Sequence, residues 1–262
     1  KELLKQLNPT NDILLITSCI DFKNDYLFYN IGTSIYYSSI YDLNVSTLLF
    51  TINSNFGSFH SLTVSNDLSI IAVSCPNAVY INYLNNFVYN NTLTVGLSGE
   101  FNDPTINSGN INGNPNDARF NMPYGIALSN NNEFIIVCDM QNNSIKKIDV
   151  NTGFVTLIAG STGGTSGFVN DIGTDARFTL PLKVCITSDD NFAYIYEYGV
   201  SMAIKIRKIN LKNNQVSLLK DLSSIIPISL NIALSPNDKE LAIINALAPS
   251  PLTGQIEEPR IN

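Results

Sequence analysis

From Gly125 onward the chain repeats one rhythm, a short apolar run, a polar turn and another apolar run, with turn residues arriving about every six to eight positions. Gly125-Ile126-Ala127-Leu128 predicts a strand and residues 130–132 its turn. Phe134-Ile135-Ile136-Val137-Cys138 predicts a second strand, with a turn at 139–143. Ser144-Ile145-Lys146-Lys147-Ile148-Asp149 alternates polar and apolar as a third, and Phe154-Val155-Thr156-Leu157-Ile158-Ala159 is a fourth. The breaks come too soon for a stable amphipathic helix.

Residues 181–219 repeat this order, and the earlier part of the chain keeps it in diverged form, with Leu62-Thr63-Val64 followed by Ile70-Ile71-Ala72-Val73. Turns after the first strand of each unit begin at Phe22, Ser65, Ser129, Ser188 and Ser235, stepping by 43, 64, 59 and 47 residues. A unit of four short strands takes about 40 to 45 residues, so no gap holds a hidden full unit. Four antiparallel strands per unit is the blade of a β-propeller. The expectation is an all-β fold: one β-propeller domain over residues 1–262, made of four-stranded antiparallel blades, with five repeat units visible. The fifth unit shows two strands and then a proline-containing tail, so its outer strands read as missing. Glu2-Leu3-Leu4-Lys5-Gln6-Leu7 looks like the outermost strand Val216-Ser217-Leu218-Leu219-Lys220-Asp221-Leu222 and is expected to complete the last blade; residues 246–262 must then supply its third strand. Closure would remove an exposed blade face.

Asp117-Ala118-Arg119-Phe120 recurs as Asp175-Ala176-Arg177-Phe178, each followed by a proline (Pro123, Pro181) and preceded by a Gly/Asn-rich loop. In the first copy the stretch runs on through Asn121-Met122-Pro123-Tyr124-Gly125-Ile126, then Val137-Cys138-Asp139, Asn142-Asn143-Ser144-Ile145 and Ala159-Gly160. This pattern resembles the NHL-repeat β-propellers. The second copy departs from it at Lys183 and Glu197. The strong match covers about 120 residues, and the remainder is carried by strand rhythm. Family members commonly have six blades. In structural terms, Phe120 and Phe178 are read as apolar plugs at blade junctions, and the prolines as starts of inner strands where no ladder donor is needed. Asp117 with Arg119, and Asp175 with Arg177, either pair or bond loop backbone.

The net charge of −7 sets the surface against phosphate backbones and anionic lipids, making nucleic acid an unfavoured partner. The densest basic cluster, Lys205-Arg207-Lys208, falls on a strand pattern and reads as a solvated face. Asparagine is abundant, with 36 positions, and its runs read as polar loop tips that tolerate left-handed backbone. With that many asparagines, the glycosylation triplets at Asn44, Asn90 and Asn142 are fewer than chance provides. No run is long enough for a membrane-spanning helix. The start at Lys1-Glu2-Leu3-Leu4 carries neither an initiator methionine nor a complete signal peptide and reads as a processed or cut form. Cys19, Cys75, Cys138 and Cys185 have no CxxC spacing, which removes the common zinc and thioredoxin readings; they are expected as buried free thiols, a lean towards a reducing setting that does not fix the compartment.

Chemistry is sparse. His60 is the single histidine, so a zinc site of several imidazoles cannot be assembled, and no G-x-S-x-G nucleophile accompanies it. It reads as a packed or rim residue. A calcium-dependent, lactonase-like propeller hydrolase would need oxygen ligands from the inner strands, which hold almost no carboxylate; Asn231 alone has suitable chemistry. A phosphate cradle at 160–167 lacks a following Lys-Ser/Thr and a helix. The reading is therefore a non-catalytic interaction platform, with no cofactor and no metal, binding a protein or peptide through inter-blade loops. An RNA-binding NHL propeller is the other alternative. The contact candidates are Phe101, Asn102, Asp103, Asn112 and Asn114 on the loop 99–117, and Thr165, Phe168, Asn170 and Asp171 on the loop 160–175. Both loops lead into a blade through the same element, so they are expected on one face as one ridge.

Overall fold

The computed structural model describes residues 16–52, 59–96, 108–199, 204–222, 229–235, 237–245 and 252–255. Among them the first sheet consists of β1 (Ile16–Lys23), β2 (Tyr26–Ile31), β3 (Ser34–Ser39) and β4 (Asp42–Thr51). The second holds β5 (Ser61–Val64), β6 (Ile70–Cys75), β7 (Ala78–Asn85) and β8 (Val88–Val95). The third holds β9 (Pro123–Leu128), β10 (Phe134–Asp139), β11 (Ser144–Asp149) and β12 (Val155–Gly160). The fourth holds β13 (Pro181–Ile186), β14 (Phe192–Tyr198), β15 (Ile204–Asn210) and β16 (Val216–Asp221). The fifth holds β17 (Ser229–Leu234), β18 (Glu240–Asn245) and β19 (Leu252–Gln255). Every sheet is an antiparallel meander, and the first strands lie side by side in chain order, β1 by β5, β5 by β9, β9 by β13 and β13 by β17. These are propeller blades with their first strands innermost.

The fifth unit does not end after two strands, and the third strand that closure requires of residues 246–262 is present. Leu252 pairs with Ile243 and Gln255 with Glu240, so the tail supplies a third strand. Four residues with one large apolar side chain are too short to announce a period of two. The segment Glu2–Leu7 expected to complete this blade lies outside the described residues.

The near-continuous apolar runs of the second strands follow from burial on both faces. On β10, Ile135 and Val137 face the second sheet, packing with Ile70, Ala72, Val79 and Ile81. Phe134, Ile136 and Cys138 face the fourth, packing with Val184, Ala193 and Ile195. Successive residues point to opposite faces of a strand, and here each face meets another blade. Each described outermost strand of the first four sheets carries a register shift against its neighbour. Such bulges twist an open edge away from further pairing.

The five turns that set the repeat also join the blades. Lys23 Nζ donates to Asn66 Oδ1 at 3.1 Å, and Asn66 Nδ2 donates to Asn130 Oδ1 at 3.3 Å. The Asn130 and Asn131 amides donate to the two carboxylate oxygens of Asp190 at 2.7 and 3.0 Å. The Ser188 amide donates to Asp238 at 2.7 Å. Asn132, Asp190 and Asp238 hold left-handed φ values of 63°, 57° and 57°, which Asn and Asp tolerate better than other side chains. The polar tips are thus the joints of one end of the wheel.

Asp67 belongs to this lacing and gives it a pH dependence. Burial opposes its ionisation, but hydrogen bonds from Ser65, Ser69 and Asn132 outweigh that and hold its carboxyl at about 2. Because the folded value lies below the ordinary 3.8, the contribution is complete above about pH 4 and disappears as pH falls through about 2. Asp67→Asn is expected to melt below the parent chain at pH 7, with the gap closing across that window; thermal melts at stepped pH measure it. A gap that stays constant down to pH 2 contradicts the assignment.

Candidate functional site

Where one blade hands the chain to the next, the two copies of the Asp-Ala-Arg-Phe element are built alike. Ala118, Phe120, Ala176 and Phe178 are fully buried, each at 0% exposure. Phe120 lies between the second and third sheets and Phe178 between the third and fourth, as plugs at the junctions. The arginines resolve the choice left open above. Arg119 Nη1 donates to the carbonyls of Asn116 and Ala118 at 2.9 and 2.7 Å. Arg177 does the same to Thr174 and Ala176 at 2.6 and 2.7 Å. Both arginines bond backbone and round off their own loop.

Behind each plug sits a buried ion pair. Asp139, the last residue of β10, meets Lys146 of β11 at 2.8 Å with both side chains at 0% exposure. Glu197 of β14 meets Arg207 of β15 at 2.7 Å. Each carboxylate also accepts the amide that follows the plug, Asn121 N at 2.8 Å and Thr179 N at 2.9 Å. Each cation donates to the carbonyl that precedes it, Arg119 O at 2.9 Å and Arg177 O at 3.1 Å. Each also lies 5.0 Å from the centroid of its phenylalanine ring. Two charges from one blade thereby grip the backbone on both sides of the plug.

Burial pushes both carboxyls upward, and the cation beside each pulls it back down, first by its charge and then by its hydrogen bond. Desolvated charges are tolerable when paired and hydrogen-bonded; here each carboxylate and each cation has at least two partners, while Arg207 Nε is buried without one among the described residues. The two modules differ in how they hold the glycine-containing loop. In the third blade Asn142 Nδ2 spans Asp139 and the Gly109 carbonyl, at 2.7 Å to each. In the fourth, Arg207 itself reaches the Val169 carbonyl with its second nitrogen at 2.7 Å. Arginine has the extra donors that lysine lacks.

The grip supports strained backbone. Met122 and Leu180, immediately before the two prolines, hold φ values of 54° and 45°, a conformation that costs a bulky residue about 1–2 kcal/mol. Beyond them the inner strands pack tightly, because a Cβ on Gly125 would stand 2.5 Å from the Leu182 carbonyl oxygen. Gly160, at φ 105°, closes the third blade against the Asn143 carbonyl.

The ion pairs correct the reading of Lys205-Arg207-Lys208 as a solvated face. Arg207 is 1% exposed; Lys205 pairs with Asp221, and Lys208 lies 3.9 Å from the Phe192 centroid. Only an acid at the end of the second strand facing a base on the third, in both units, could have flagged the arrangement. Sequence reasoning noted Asp139 and Glu197 and missed their partners.

The loops held this way are ladders in miniature. Ile111 bridges to Arg119 and Gly113 to Val155; Val169 bridges to Arg177 and Ile172 to Gln215. Asn110 Nδ2 donates to the Thr162 carbonyl at 2.9 Å and ties one loop to the next. Asn112, Asn114, Thr165, Phe168, Asn170 and Asp171 are all exposed along this ridge. Phe101, Asn102 and Asp103 lie outside the described residues. Between the polar positions stand Ile111, Phe168, Val169 and Ile172, exposed at 51%, 39%, 43% and 53%.

His60 sits at the start of β5 among the inner strands. Its ring stacks on Tyr124 at 4.9 Å, and its Nδ1 lies 3.2 Å from the Pro123 carbonyl, which it must face as a donor. Burial lowers its pKa, opposed by that hydrogen bond. Lys183 of β13 lies 5.1 Å from the Tyr124 centroid. This is a packed histidine. Among the described residues no group of three or more His, Cys, Asp or Glu side chains is placed to share a metal ion; the side chain of Asn231 lies outside those described. Cys75, Cys138 and Cys185 are free thiols, and burial pushes the latter two well up. Cys19 has no described side chain.

No protein-family model matches the chain. Among curated proteins it is similar to NHL repeat-containing protein 2 of Gallus gallus, 33% identical over 101 residues, covering 36% of this chain and 14% of that protein. The Bos taurus protein of that name is 27% identical over 110 residues, covering 42% and 15%. The match thus spans about a seventh of these relatives. Among solved structures, a protein of unknown function from Bacteroides thetaiotaomicron superposes with a TM-score of 0.62 at 14% identity, covering 87% of this chain and 56% of that one. A chain of a nidogen/laminin complex gives 0.58 at 12% identity, covering 84% and 70%. The chain resembles the NHL-repeat proteins in sequence and is a β-propeller in fold.

Proposed function

We propose that this propeller is a non-catalytic platform that binds a protein or peptide through the ridge formed by residues 108–117 and 160–175. The observation that carries the reading is the pairing of buried support with exposed apolar tips. Ion pairs with essentially no solvent exposure hold the loop roots, while Ile111, Phe168, Val169 and Ile172 stand in solvent. Ordering a loop before it binds removes an entropy cost from association, and clustered exposed apolar side chains mark contact surfaces. Structural likeness to a chain in a nidogen/laminin complex, an assembly of proteins, is in keeping with this use of the fold. The ridge exposes the carboxylates of Asp117, Asp171 and Asp175, which disfavours an RNA backbone.

The test is selection of random displayed peptides on the chain. Selected peptides are expected to lose at least tenfold in affinity for Ile111→Ser/Val169→Ser and to bind Tyr41→Ser, altered in the β3–β4 turn, like the parent. Equal affinity for the ridge variant, or loss confined to Tyr41→Ser, rejects the ridge.

A further inference from the structure

We infer that the ridge takes its partner as an extended, basic peptide strand laid along the free edge of residues 168–170; this rests on the ridge being the binding surface. Val169 exchanges both backbone bonds with Arg177, 3.3 Å for its own amide and 3.1 Å for its carbonyl. In an antiparallel ladder the residues flanking such a pair turn their N–H and C=O groups the other way. Those residues are Phe168 and Asn170, whose backbone groups have no partner among the described residues and which are both exposed. The neighbouring loop is built alike around Ile111, but there the next loop is fastened alongside by the Asn110 to Thr162 bond. Among the described residues no loop is fastened in that way alongside the edge at 168–170.

An open edge with ordered backbone is what strand addition uses: main-chain bonds supply affinity and alternate side chains supply selectivity. The side chains here choose the partner's charge. Asp171 and Asp175 are exposed at the end of this edge. The nearby cations are committed, Arg177 and Arg207 to loop carbonyls and Lys205 to Asp221 and to one face of the Phe168 ring, 4.9 Å from its centroid. Phe168 and Ile172 give apolar surface between these charges, suited to a peptide in which Lys or Arg alternates with an apolar residue. The net charge of −7 steers such a peptide inward from a distance.

The probe is a capped six-residue peptide alternating lysine and valine, labelled for fluorescence anisotropy at low salt. It is compared with the same peptide N-methylated at the amides of one edge, and with a glutamate–valine version. The lysine peptide is expected to bind at least tenfold more tightly than either. Asn170→Pro, which removes one of the two outward-facing donors, and Asp171→Asn/Asp175→Asn are each expected to weaken it about tenfold while melting like the parent. Equal binding of the N-methylated peptide overturns strand addition; equal binding of the glutamate peptide overturns the charge preference. If Asn170→Pro does not fold, the peptide comparison on the unaltered chain decides alone. Display-selected peptides that need Ile111 and Val169 but ignore edge methylation would leave the ridge standing and reject this mode, whereas peptides indifferent to the ridge variant would reject both.

Discussion

Lys146→Met is expected to lower the unfolding free energy by about 3–5 kcal/mol, the cost of leaving a buried carboxylate unpaired. Asp139 would lose the charge and the hydrogen bond beside it, at a site with no solvent exposure, and with them the anchor that fixes it against Asn121 and Asn142. Arg207→Met is expected to cost as much, and also to release the Arg177 and Val169 carbonyls it holds. Lys205→Ala is the control. Its pair with Asp221 is partly in solvent, and such pairs contribute about 0–1 kcal/mol. Asp139→Asn/Lys146→Met should recover much of the loss, because the amide still accepts from Asn121 and no buried charge remains. Urea unfolding at constant m measures all four; a Lys146→Met loss no larger than that of Lys205→Ala contradicts the role given to the pair.

Phe120→Ala and Phe178→Ala are each expected to cost about 3–5 kcal/mol, the range for removing a fully buried ring. Each ring fills the space between two blades, so the cavity opens at a junction that neither blade can fill alone. The loss also takes away the aromatic face under the buried cation. Phe154→Ala provides the comparison, since that ring stands half in solvent just before β12, and surface changes usually stay within about 0.5 kcal/mol. Similar losses at Phe120 and Phe154 would show that the junction is not where the packing energy is concentrated.

The blades were legible because their signal is local. A run such as Phe134 to Cys138, broken by asparagine turns, states both strand and length, and the matched Asp-Ala-Arg-Phe elements mark the junctions. What escaped depends on contacts between distant segments. Arg207 has the same immediate neighbours as a surface strand cation, and only Glu197 across the ladder and Val169 in the preceding loop make it a core residue. The turns at Asn66, Asn130 and Asp190 were recognised as turns, yet their bonds to one another join segments about sixty residues apart. β19 was expected from the need to complete the last blade rather than from its own pattern, and it is held by register with β18. The two loops were readable as Gly/Asn-rich connections between blades, and the Asn110 to Thr162 bond joins them. The support beneath them was not.

Native-state amide hydrogen exchange at Asn121 and Thr179, in the parent chain and in Lys146→Met, tests most directly whether buried charges clamp the loops to the blades. Both amides are expected to be protected in the parent. In the variant Asn121 should exchange much faster while Thr179, held by Glu197 in the next module, stays slow. Fast exchange at both positions in the parent, or an unchanged Asn121 in the variant, would contradict the clamp.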